Sequence, residues 1–310
     1  MESLEYYSHD LVAKRPEPGT FLFNQPAHLF LQSEQGWRVY GLRQRETKKT
    51  VAQIFFNINK KKVYSPLRAP FGSLELYGNV GPKKLEELFG NIIADLKKLS
   101  VNFCQIKHYP EAYHPVATIL VHQVLTKFSF RPTAEISSII PVDQKTFEKK
   151  IAVSQRQKLR KSEKRFMVSQ VKLTELKKIY DFISACRHER HQSLSMTFTQ
   201  LKKVVYRFPK SFLLFQVADE QEMAAAAIVI KVSENILYTF YYSHEKRFNR
   251  ISPVVFLISG IYRYAQEHGF AQIDLGTSMV NGGINRPLLQ FKKSIGGQPS
   301  NKYIFDRIFP

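Results

Sequence analysis

Asp274 and Lys292 are the residues whose charge and surroundings most suggest chemistry. Asp274 stands in the apolar segment 273–276, which predicts a buried strand ending at a glycine. Lys292 follows in a short predicted helix, after which Gly296 and Gly297 let the backbone turn into a last strand. A carboxylate so placed can act as a base, orient the glycine turn or cap the next loop. The lysine can face a cleft, or it can be a surface residue like its neighbour Lys293. The sequence therefore predicts Asp274 and Lys292 as catalytic candidates.

A second polar feature precedes the helix predicted over residues 252–268. Ser252 and Pro253 form a helix-start pattern, a capping residue followed by proline at the first helical position. The approach, residues 244–250, is basic and contains Arg247 and Arg250. Because the free amides and the dipole of a helix N-terminus favour anions, Arg247, Arg250 and Ser252 are predicted to hold a cofactor phosphate. A solvated basic loop is the alternative.

Residues 145–178 carry the densest positive charge in the sequence. They hold twelve Lys and Arg against three acids, hence +9 of the net charge of +20. This excess predicts an anionic partner, which can be nucleic acid, a nucleotide-linked substrate or the anionic face of a membrane. A non-catalytic nucleic-acid-binding protein that uses this segment is one hypothesis, although the sequence shows no signature of the common RNA- or DNA-binding modules.

Residues 187–191 and the tyrosine pair Tyr241 and Tyr242 are further candidates. His188 and His191 are three positions apart on a predicted helix, but no third ligand follows at a suitable spacing, so no metal site is predicted. Basic residues at a helix end explain this run more simply. The two tyrosines end a predicted strand, where alternation sends one ring to the core and the other to a cleft. The sequence leaves open which ring does which.

Length and composition indicate a globular protein of two domains. The 310 residues, 44% of them hydrophobic, suit two units of about 150 residues each. The sequence has no apolar run long enough to span a membrane, and residues 1–5 lack the pattern of a signal peptide, so a cytoplasmic protein is expected. Cys104 and Cys186 lie in apolar contexts and are expected to be buried free thiols.

The two halves of the sequence predict the same order of elements: helix, antiparallel strands, helix, strand, helix, strand. Predicted helices follow residues 24–26 and lie at 83–99, 116–128, 174–190, 198–207, 252–268 and 286–293; predicted strands lie at 37–43, 50–58, 62–65, 73–77, 103–108, 133–141, 211–218, 224–232, 236–243, around Asp274 and at 301–308. The apolar face predicted for helix 116–128 is Ile119, Leu120, Val124, Leu125 and Phe128. We therefore predict an α/β (α+β) fold with two tandem domains, residues 1–142 and 143–310. Each domain is predicted to be a mixed, mostly antiparallel sheet flanked by helices.

This order resembles the GNAT acetyltransferase fold. A tandem of two such units, with a basic helix opening the second, resembles the FemA/FemB-type transferases of peptidoglycan bridges and their FemAB-like acetyltransferase relatives. The resemblance rests on residues 154–164, residues 223–231, the Pro253 helix, Asp274-Leu275-Gly276, and Phe291-Lys292 with Gly296-Gly297. It implies an N-acyltransferase with its active site in the second unit, acyl-CoA or aminoacyl-tRNA as donor and no permanently bound cofactor. The implied acceptor is the amine of an anionic, nucleotide-linked or cell-envelope molecule; tRNA and a membrane surface are the implied partners.

The same resemblance assigns roles to individual residues. Lys292 would stabilise the oxyanion of a tetrahedral acyl-transfer intermediate. Arg156, at the start of the basic helix, would contact a substrate diphosphate through its planar guanidinium fork. The other predicted substrate contacts are Lys158, Arg187, Tyr241 and Tyr242. The sequence departs from the acetyltransferase pattern before Pro253, where the glycines that hold the CoA pyrophosphate are missing, so weak acyl-CoA binding is expected.

Overall fold

The computed structural model describes residues 3–11 and 21–310 of the chain. Met1 and Glu2, the start of the segment inspected for a signal peptide, lie outside these residues. Spatial contacts divide the chain into two compact units, Met1–Glu135 with Asn301–Pro310, and Ile136–Ser300. The sequence predicts two folding domains, residues 1–142 and 143–310. This division stays a prediction.

The first unit is built on a mixed sheet. Its elements are β1 (Leu4–Asp10), α1 (Pro26–Gln32), β2 (Trp37–Gln44), β3 (Thr50–Asn59), β4 (Lys62–Ser65), β5 (Glu75–Leu76), α2 (Pro82–Lys98), β6 (Phe103–Lys107) and α3 (Pro115–Lys127), followed by the start of β7 (Arg131–Pro141). The strand order is β1-β2-β3-β4-β6, with β5 against β3. Only β4 and β6 are parallel among the pairs described for this unit.

The second unit has the same kind of sheet. Its elements are the end of β7, α4 (Val153–Glu163), β8 (Met167–Val171), α5 (Leu176–His188), α6 (Phe198–Arg207), β9 (Phe212–Ala218), β10 (Met223–Ser233), β11 (Ile236–His244), α7 (Pro253–Glu267), β12 (Gln272–Thr277), β13 (Met279–Val280), β14 (Gly283–Ile284) and α8 (Arg286–Ser294). The strand order is β8-β9-β10-β11-β12-β7, with β11 and β12 parallel. The predicted repetition of a mixed, mostly antiparallel sheet is confirmed.

The sixth strand of each unit's sheet is part of a strand that begins in the other unit. β15 (Gln298–Ile308) leaves the second unit, and its residues 304–308 pair antiparallel with β6 in the first. β7 begins in the first unit, and its residues 137–141 pair antiparallel with β12 in the second. Both sheets thus have four antiparallel strands, a parallel neighbour and a final antiparallel strand.

Each unit has its own apolar core under a central helix. The apolar residues that recur at helical spacing are buried in both central helices: Leu85, Leu88, Phe89, Ile92, Ile93 and Leu96 in α2, and Val254, Val255, Leu257, Ile258, Ile261 and Ala265 in α7. The prediction for α3 is wrong in part, because Ile119 is 52% exposed whereas Ala117 and Val121 are buried. α3 is apolar on several sides, so its periodicity gives no single face. Cys104 and Cys186 are buried free thiols, as predicted.

Several short strands were not predicted. β1 mixes apolar with charged and polar residues, and β8 was not recognised because it is only five residues long and lies within the basic segment 145–178. The two-residue strands β13 and β14 form a separate hairpin just after β12. Within residues 3–11 and 21–310, none of the helices combines the length and apolar character needed to cross a membrane.

Candidate functional site

The parallel pair β11 and β12 separates after three residues. Pairing runs from Ile236↔Gln272 to Tyr238↔Asp274 and stops there. β11 continues to His244 and β12 to Thr277. Asp274 therefore stands at the point where two central strands part, and the residues just beyond it have backbone groups that no longer bond across the pair.

Asp274 fixes the turn that follows it. Its side chain is 2% exposed, and Oδ1 accepts a hydrogen bond from the Gly276 amide at 2.6 Å and from the Ser137 hydroxyl at 3.4 Å. Gly276 has φ of +76°, a conformation that favours glycine. Of the three roles that the sequence allowed for Asp274, orientation of the Gly276 turn is the one these contacts show.

Lys292 lies inside the structure. Its side chain is 2% exposed, and Nζ donates to the carbonyl oxygens of Gly276 and Thr277, both at 2.8 Å. The alternative that Lys292 is a surface residue like Lys293 is therefore wrong. Lys292 and Leu289 are three residues apart and form the buried face of α8, whereas Lys293 is exposed.

The surroundings of Lys292 lower its pKa to about 8. Burial is the main cause, since it disfavours the charged form; the nearby Arg187 adds to the shift, and Asp274 opposes it. Two features hold α8 in this position. The Asn285 side chain caps the helix by accepting from the Leu288 amide at 3.1 Å. At the other end, a Cβ on Gly297 would lie 2.7 Å from the Lys292 carbonyl oxygen, which explains the second glycine of the predicted pair.

Three tyrosines and Arg187 surround the parting strands. The Arg187 guanidinium lies 6.0 Å from the centre of the Tyr241 ring. Burial raises the pKa of Tyr242 to about 12, and the positive charge of Arg187 opposes this rise. Burial raises the pKa of Tyr238 as well, and the negative charge of Asp274 adds to that shift. Tyr238 was not predicted; its position opposite Asp274 depends on strand register, which the sequence pattern alone does not give.

Tyr241 and Tyr242 have different surroundings. Tyr241 is 5% exposed, and its hydroxyl lies 2.6 Å from the Ser195 hydroxyl and accepts from the Met196 amide at 3.0 Å. The Tyr180 hydroxyl donates to the Met196 carbonyl at 3.0 Å. Tyr241 therefore holds the loop between α5 and α6. Tyr242 is half-buried and packs against the core under α7.

The start of α4 lies beside the end of α8. The Gln155 amide group donates to the Ser294 hydroxyl at 3.0 Å, and the Ala152 amide donates to the Ser294 carbonyl at 2.9 Å. Arg156 is half-buried and its Nε donates to the Ile151 carbonyl at 3.3 Å. Lys158 is also half-buried, and its positive charge contributes to the lowered pKa of His244 at the end of β11. The substrate roles predicted for Arg156 and Lys158 stay predictions.

The predicted phosphate site before α7 differs in detail from the expectation. α7 does begin at Pro253, but Ser252 has φ of +48° and its hydroxyl caps no amide, so the predicted side-chain cap is wrong. Arg247 is exposed and ion-paired with Glu245 and Glu222. Arg250 is exposed. The carboxylates around Arg247 reduce the positive charge available to an anion there.

The structure thus brings together Asp274, Lys292, Arg187, Tyr241 and Tyr242, and adds Tyr238. It leaves Arg247 in a surface ion network. Among residues 3–11 and 21–310, no three His, Cys, Asp or Glu side chains are grouped as metal ligands would be. The arrangement offers a buried cation beside parted strands, which can stabilise negative charge on a bound oxygen.

The same fold is present in solved structures. FemX matches with a TM-score of 0.68 and 14% identity, over 98% of this chain and 97% of its own. L-PGS from Bacillus licheniformis matches with a TM-score of 0.56 and 14% identity, over 90% of this chain and 86% of its own. A tandem GNAT protein from the clavulanic acid biosynthesis pathway matches with a TM-score of 0.51 and 8% identity, over 99% of both chains. No protein-family model and no curated protein matches the sequence.

At these identities the similarity concerns the fold. The repeated strand order, with one parallel pair in each sheet, agrees with the similarity to FemX and to the tandem GNAT protein over nearly the whole chain. The protein therefore has the FemX-like tandem-GNAT fold that its sequence pattern resembles.

Proposed function

We propose that this protein is an acyltransferase that moves an acyl or aminoacyl group from an activated donor to an amine. The observation that supports this most is Lys292, a buried lysine held by two carbonyls where β11 and β12 part. An ammonium group has three N–H donors. Among the described residues, the two carbonyls take two of them and leave one for an oxygen of the substrate.

The chemistry follows from that free donor. The acceptor amine attacks the carbonyl carbon of a thioester or ester, a C–N bond forms, and negative charge collects on the carbonyl oxygen. Lys292 stabilises this oxyanion. When the intermediate collapses, the C–S or C–O bond breaks and the proton lost by the amine goes to the leaving group. Asp274 acts as a positioning residue in this scheme, because it orients the turn whose carbonyls hold Lys292.

The donor and acceptor classes are part of the proposal. We propose acyl-CoA or aminoacyl-tRNA as donor, without a permanently bound cofactor, and the amine of an anionic acceptor. The similarity to FemX and L-PGS supports an aminoacyl-tRNA donor and a lipid-linked acceptor. The FemAB-like pattern of the sequence adds other cell-envelope acceptors to the proposal. The net charge of +20 favours either class of anion and peripheral contact with a membrane. We place the active site in the second predicted domain, residues 143–310, of a cytoplasmic protein.

A ligand screen followed by a transfer assay tests the proposal. The wild type is heated with acetyl-CoA, longer acyl-CoAs, charged tRNA and UDP-linked muropeptides, since a ligand that binds the native state raises the melting temperature. The donor that binds is then incubated with the candidate acceptors, and the acylated product is measured. Lys292→Met should abolish most product and the exposed neighbour Lys293→Met should not. Equal product from both variants would contradict the assignment of Lys292.

Nucleic-acid binding without catalysis is a second candidate function. The end of α4 favours it, because Arg160 and Lys161 in its last turn and Lys164 just after it are all exposed. Three other cations of the basic segment pair with acids, namely Lys150, Arg165 and Lys177. A binding protein of this kind would show affinity for uncharged RNA that falls steeply with salt, unchanged in Lys292→Met and without any transfer of an acyl group.

A further inference from the structure

The helix α6 has a buried side and a basic, exposed side. Its buried residues are Leu201 and Val205. Tyr206 lies on the exposed side, where 71% of it is accessible to solvent. Together with the short turn Pro209–Ser211 that follows the helix, this side presents four exposed cations and the tyrosine ring, namely Lys202, Lys203, Tyr206, Arg207 and Lys210. We call these five residues the α6 surface.

The positive charge of the α6 surface is not neutralised nearby. Residues 190–218 contain five Lys or Arg and no Asp or Glu. Within residues 3–11 and 21–310, none of the four cations forms an ion pair. In the basic segment 145–178, by contrast, three cations are paired with acids. An anionic partner can therefore meet the whole charge of the α6 surface.

The cations and the ring are neighbours on the helix. Lys202 and Tyr206 are four residues apart, and so are Lys203 and Arg207, so each pair lies on one side of α6 one turn apart. Lys202 Nζ is 5.4 Å from the centre of the Tyr206 ring. A flat exposed ring bordered by cations suits an unpaired nucleic-acid strand, because the ring can stack on a base while the cations contact phosphates.

The α6 surface is less suited to a lipid bilayer. A helix that lies in a membrane interface inserts an apolar face between the lipids. The apolar residues Leu201 and Val205 of α6 are instead buried within the protein, and the exposed residues of the helix are Thr199, Gln200, Lys202, Lys203, Tyr206 and Arg207. Tyr206 is the one large ring among them, which is too little for insertion but sufficient for stacking on a base.

We propose that the α6 surface binds single-stranded RNA. Tyr206 stacks on an unpaired base, and the four cations contact the phosphates on either side of it. The strand is unpaired, because the bases of a duplex stack on one another and do not offer their faces to a side chain. This surface is separate from the exposed cations at the end of α4.

The start of α6 connects this surface to the parting strands. The Met196 amide donates to the Tyr241 hydroxyl at 3.0 Å, and Thr197, the next residue, caps α6 by accepting from the Gln200 amide at 3.3 Å. Nine residues separate Thr197 from Tyr206, roughly 13 Å at the rise of a helix. An RNA on the α6 surface therefore lies within about that distance of the residues that contact Tyr241. Of the two donors in the proposed function, on which this step rests, the RNA-linked one fits this position.

Fluorescence anisotropy with a labelled single-stranded RNA of about ten nucleotides tests the surface without requiring any activity. Four phosphate contacts predict that the affinity of the wild type falls on the order of fiftyfold between 50 and 200 mM salt. Tyr206→Ala should weaken binding by about tenfold through loss of one stacked base, and Tyr206→Phe, which keeps the ring, should bind like the wild type. The double variant Lys203→Gln with Arg207→Gln should lower the slope of log affinity against log salt by about 1.4.

Two controls isolate the α6 surface. The double variant Arg160→Gln with Lys161→Gln removes the same charge from the last turn of α4 and should leave the salt slope nearly unchanged. Inorganic polyphosphate has phosphates but no bases, so Tyr206→Ala should bind it like the wild type. Melting temperatures without ligand show whether each variant is folded.

The outcomes separate this surface from the proposed catalysis. Absence of RNA binding by the wild type, full affinity in Tyr206→Ala, or an equal loss in the α4 double variant would overturn the proposal. Binding of phosphatidylglycerol vesicles instead of RNA, lost in the α6 variants, would overturn it in favour of a membrane. Lys292→Met should bind RNA normally even where transfer is lost, so failure of the acyltransferase proposal leaves this result unaffected.

Discussion

The parallel strand pair at the centre of each sheet is closed in the first unit and open in the second. β4 pairs with β6 through all four of its residues, Lys62 to Ser65. β11 pairs with β12 through only its first three of nine residues. Beyond the last pair in the second unit, the carbonyls of Gly276 and Thr277 bond to Lys292 instead of to a strand. One sheet therefore has polar side chains at a centre where two strands part, and the other has a completed ladder.

The polar groups next to the two pairs differ in the same way. His108 directly follows β6 and is fully buried, with Nδ1 2.8 Å from the Ser73 hydroxyl and Nε2 3.0 Å from the Thr118 hydroxyl. Both ring nitrogens have partners, and the group is neutral because burial lowers its pKa to about 3. Lys292 is equally buried but charged, with a donor left over. Burial of a polar residue thus indicates a site only when its hydrogen-bonding capacity is unfilled.

His108→Gln tests the closed network and should have the largest effect. The folded pKa of His108 is below its unfolded value, so the unfolded chain binds more protons between about pH 3 and 6.5 and stability falls as the pH drops through that window. The fall attributable to His108 is on the order of 5 kcal/mol. Urea unfolding of the wild type and the variant at pH 4 and pH 7 should show roughly 3 kcal/mol of this fall, as a smaller pH dependence of the free energy of unfolding in the variant. His191→Gln corrects for loss of an exposed histidine; equal curves for wild type and His108→Gln would contradict the neutral network.

Lys292→Met tests the open site. We expect the maximal transfer rate to fall by roughly ten- to a thousandfold, up to about 4 kcal/mol, with donor affinity nearly unchanged, because an oxyanion donor acts in the transition state. Single-turnover transfer with the donor found by the ligand screen measures the rate, and Lys293→Met is the control. A raised dissociation constant with an unchanged rate would make Lys292 a binding residue.

The pH dependence of stability tests whether burial lowers the pKa of Lys292 in the folded protein. Its folded pKa of about 8 lies below the unfolded value, so the unfolded chain binds more protons between about pH 8 and 10.5 and stability rises with pH across that window. The rise attributable to Lys292 is roughly 3 kcal/mol. Unfolding free energies at pH 8 and pH 10.5 should therefore increase more in the wild type than in Lys292→Met. Parallel curves would show that the pKa of Lys292 is not lowered.

Tyr241→Phe should have the smallest effect and concerns the loop beside the open strands. Loss of the hydroxyl removes the contacts to Ser195 and Met196, worth about 1 kcal/mol, so the loop should open about fivefold more often. Tryptic cleavage after Arg190 under native conditions should speed up by that factor. Tyr206→Phe, at an exposed tyrosine of α6, is the control. Unchanged cleavage would show that other contacts hold the loop.

The fold was predictable where one physical signal dominated. The faces of α2 and α7 follow a helical period, and the repeated order of elements gave the tandem of mixed sheets. The face assigned to α3 was wrong in part because this helix is apolar on several sides, and β8 was missed because its polar, charged surroundings resemble a solvated helix. Local pattern does not distinguish these cases, since tertiary packing decides them.

The candidate site was predictable in its residue types but not in its geometry. Asp274 and Lys292 stood out by charge in apolar surroundings, yet Lys292 and Lys293 look alike in sequence, and only the packing of α8 makes one buried and the other exposed. Tyr238 was missed because its position opposite Asp274 depends on strand register, which is a property of the folded chain.

The path of β15 has a consequence for how the protein is made. Residues 304–308 of this strand complete the sheet of the first unit, but the ribosome synthesises them after all of Ile136–Ser300. The sheet of the first unit is therefore completed only after the second unit has been synthesised. Until then, the edge of β6 that pairs with β15 has no partner strand. A chain interrupted before Asn301 would contain every residue of the second unit and would nevertheless leave the first unit with an open, aggregation-prone strand edge.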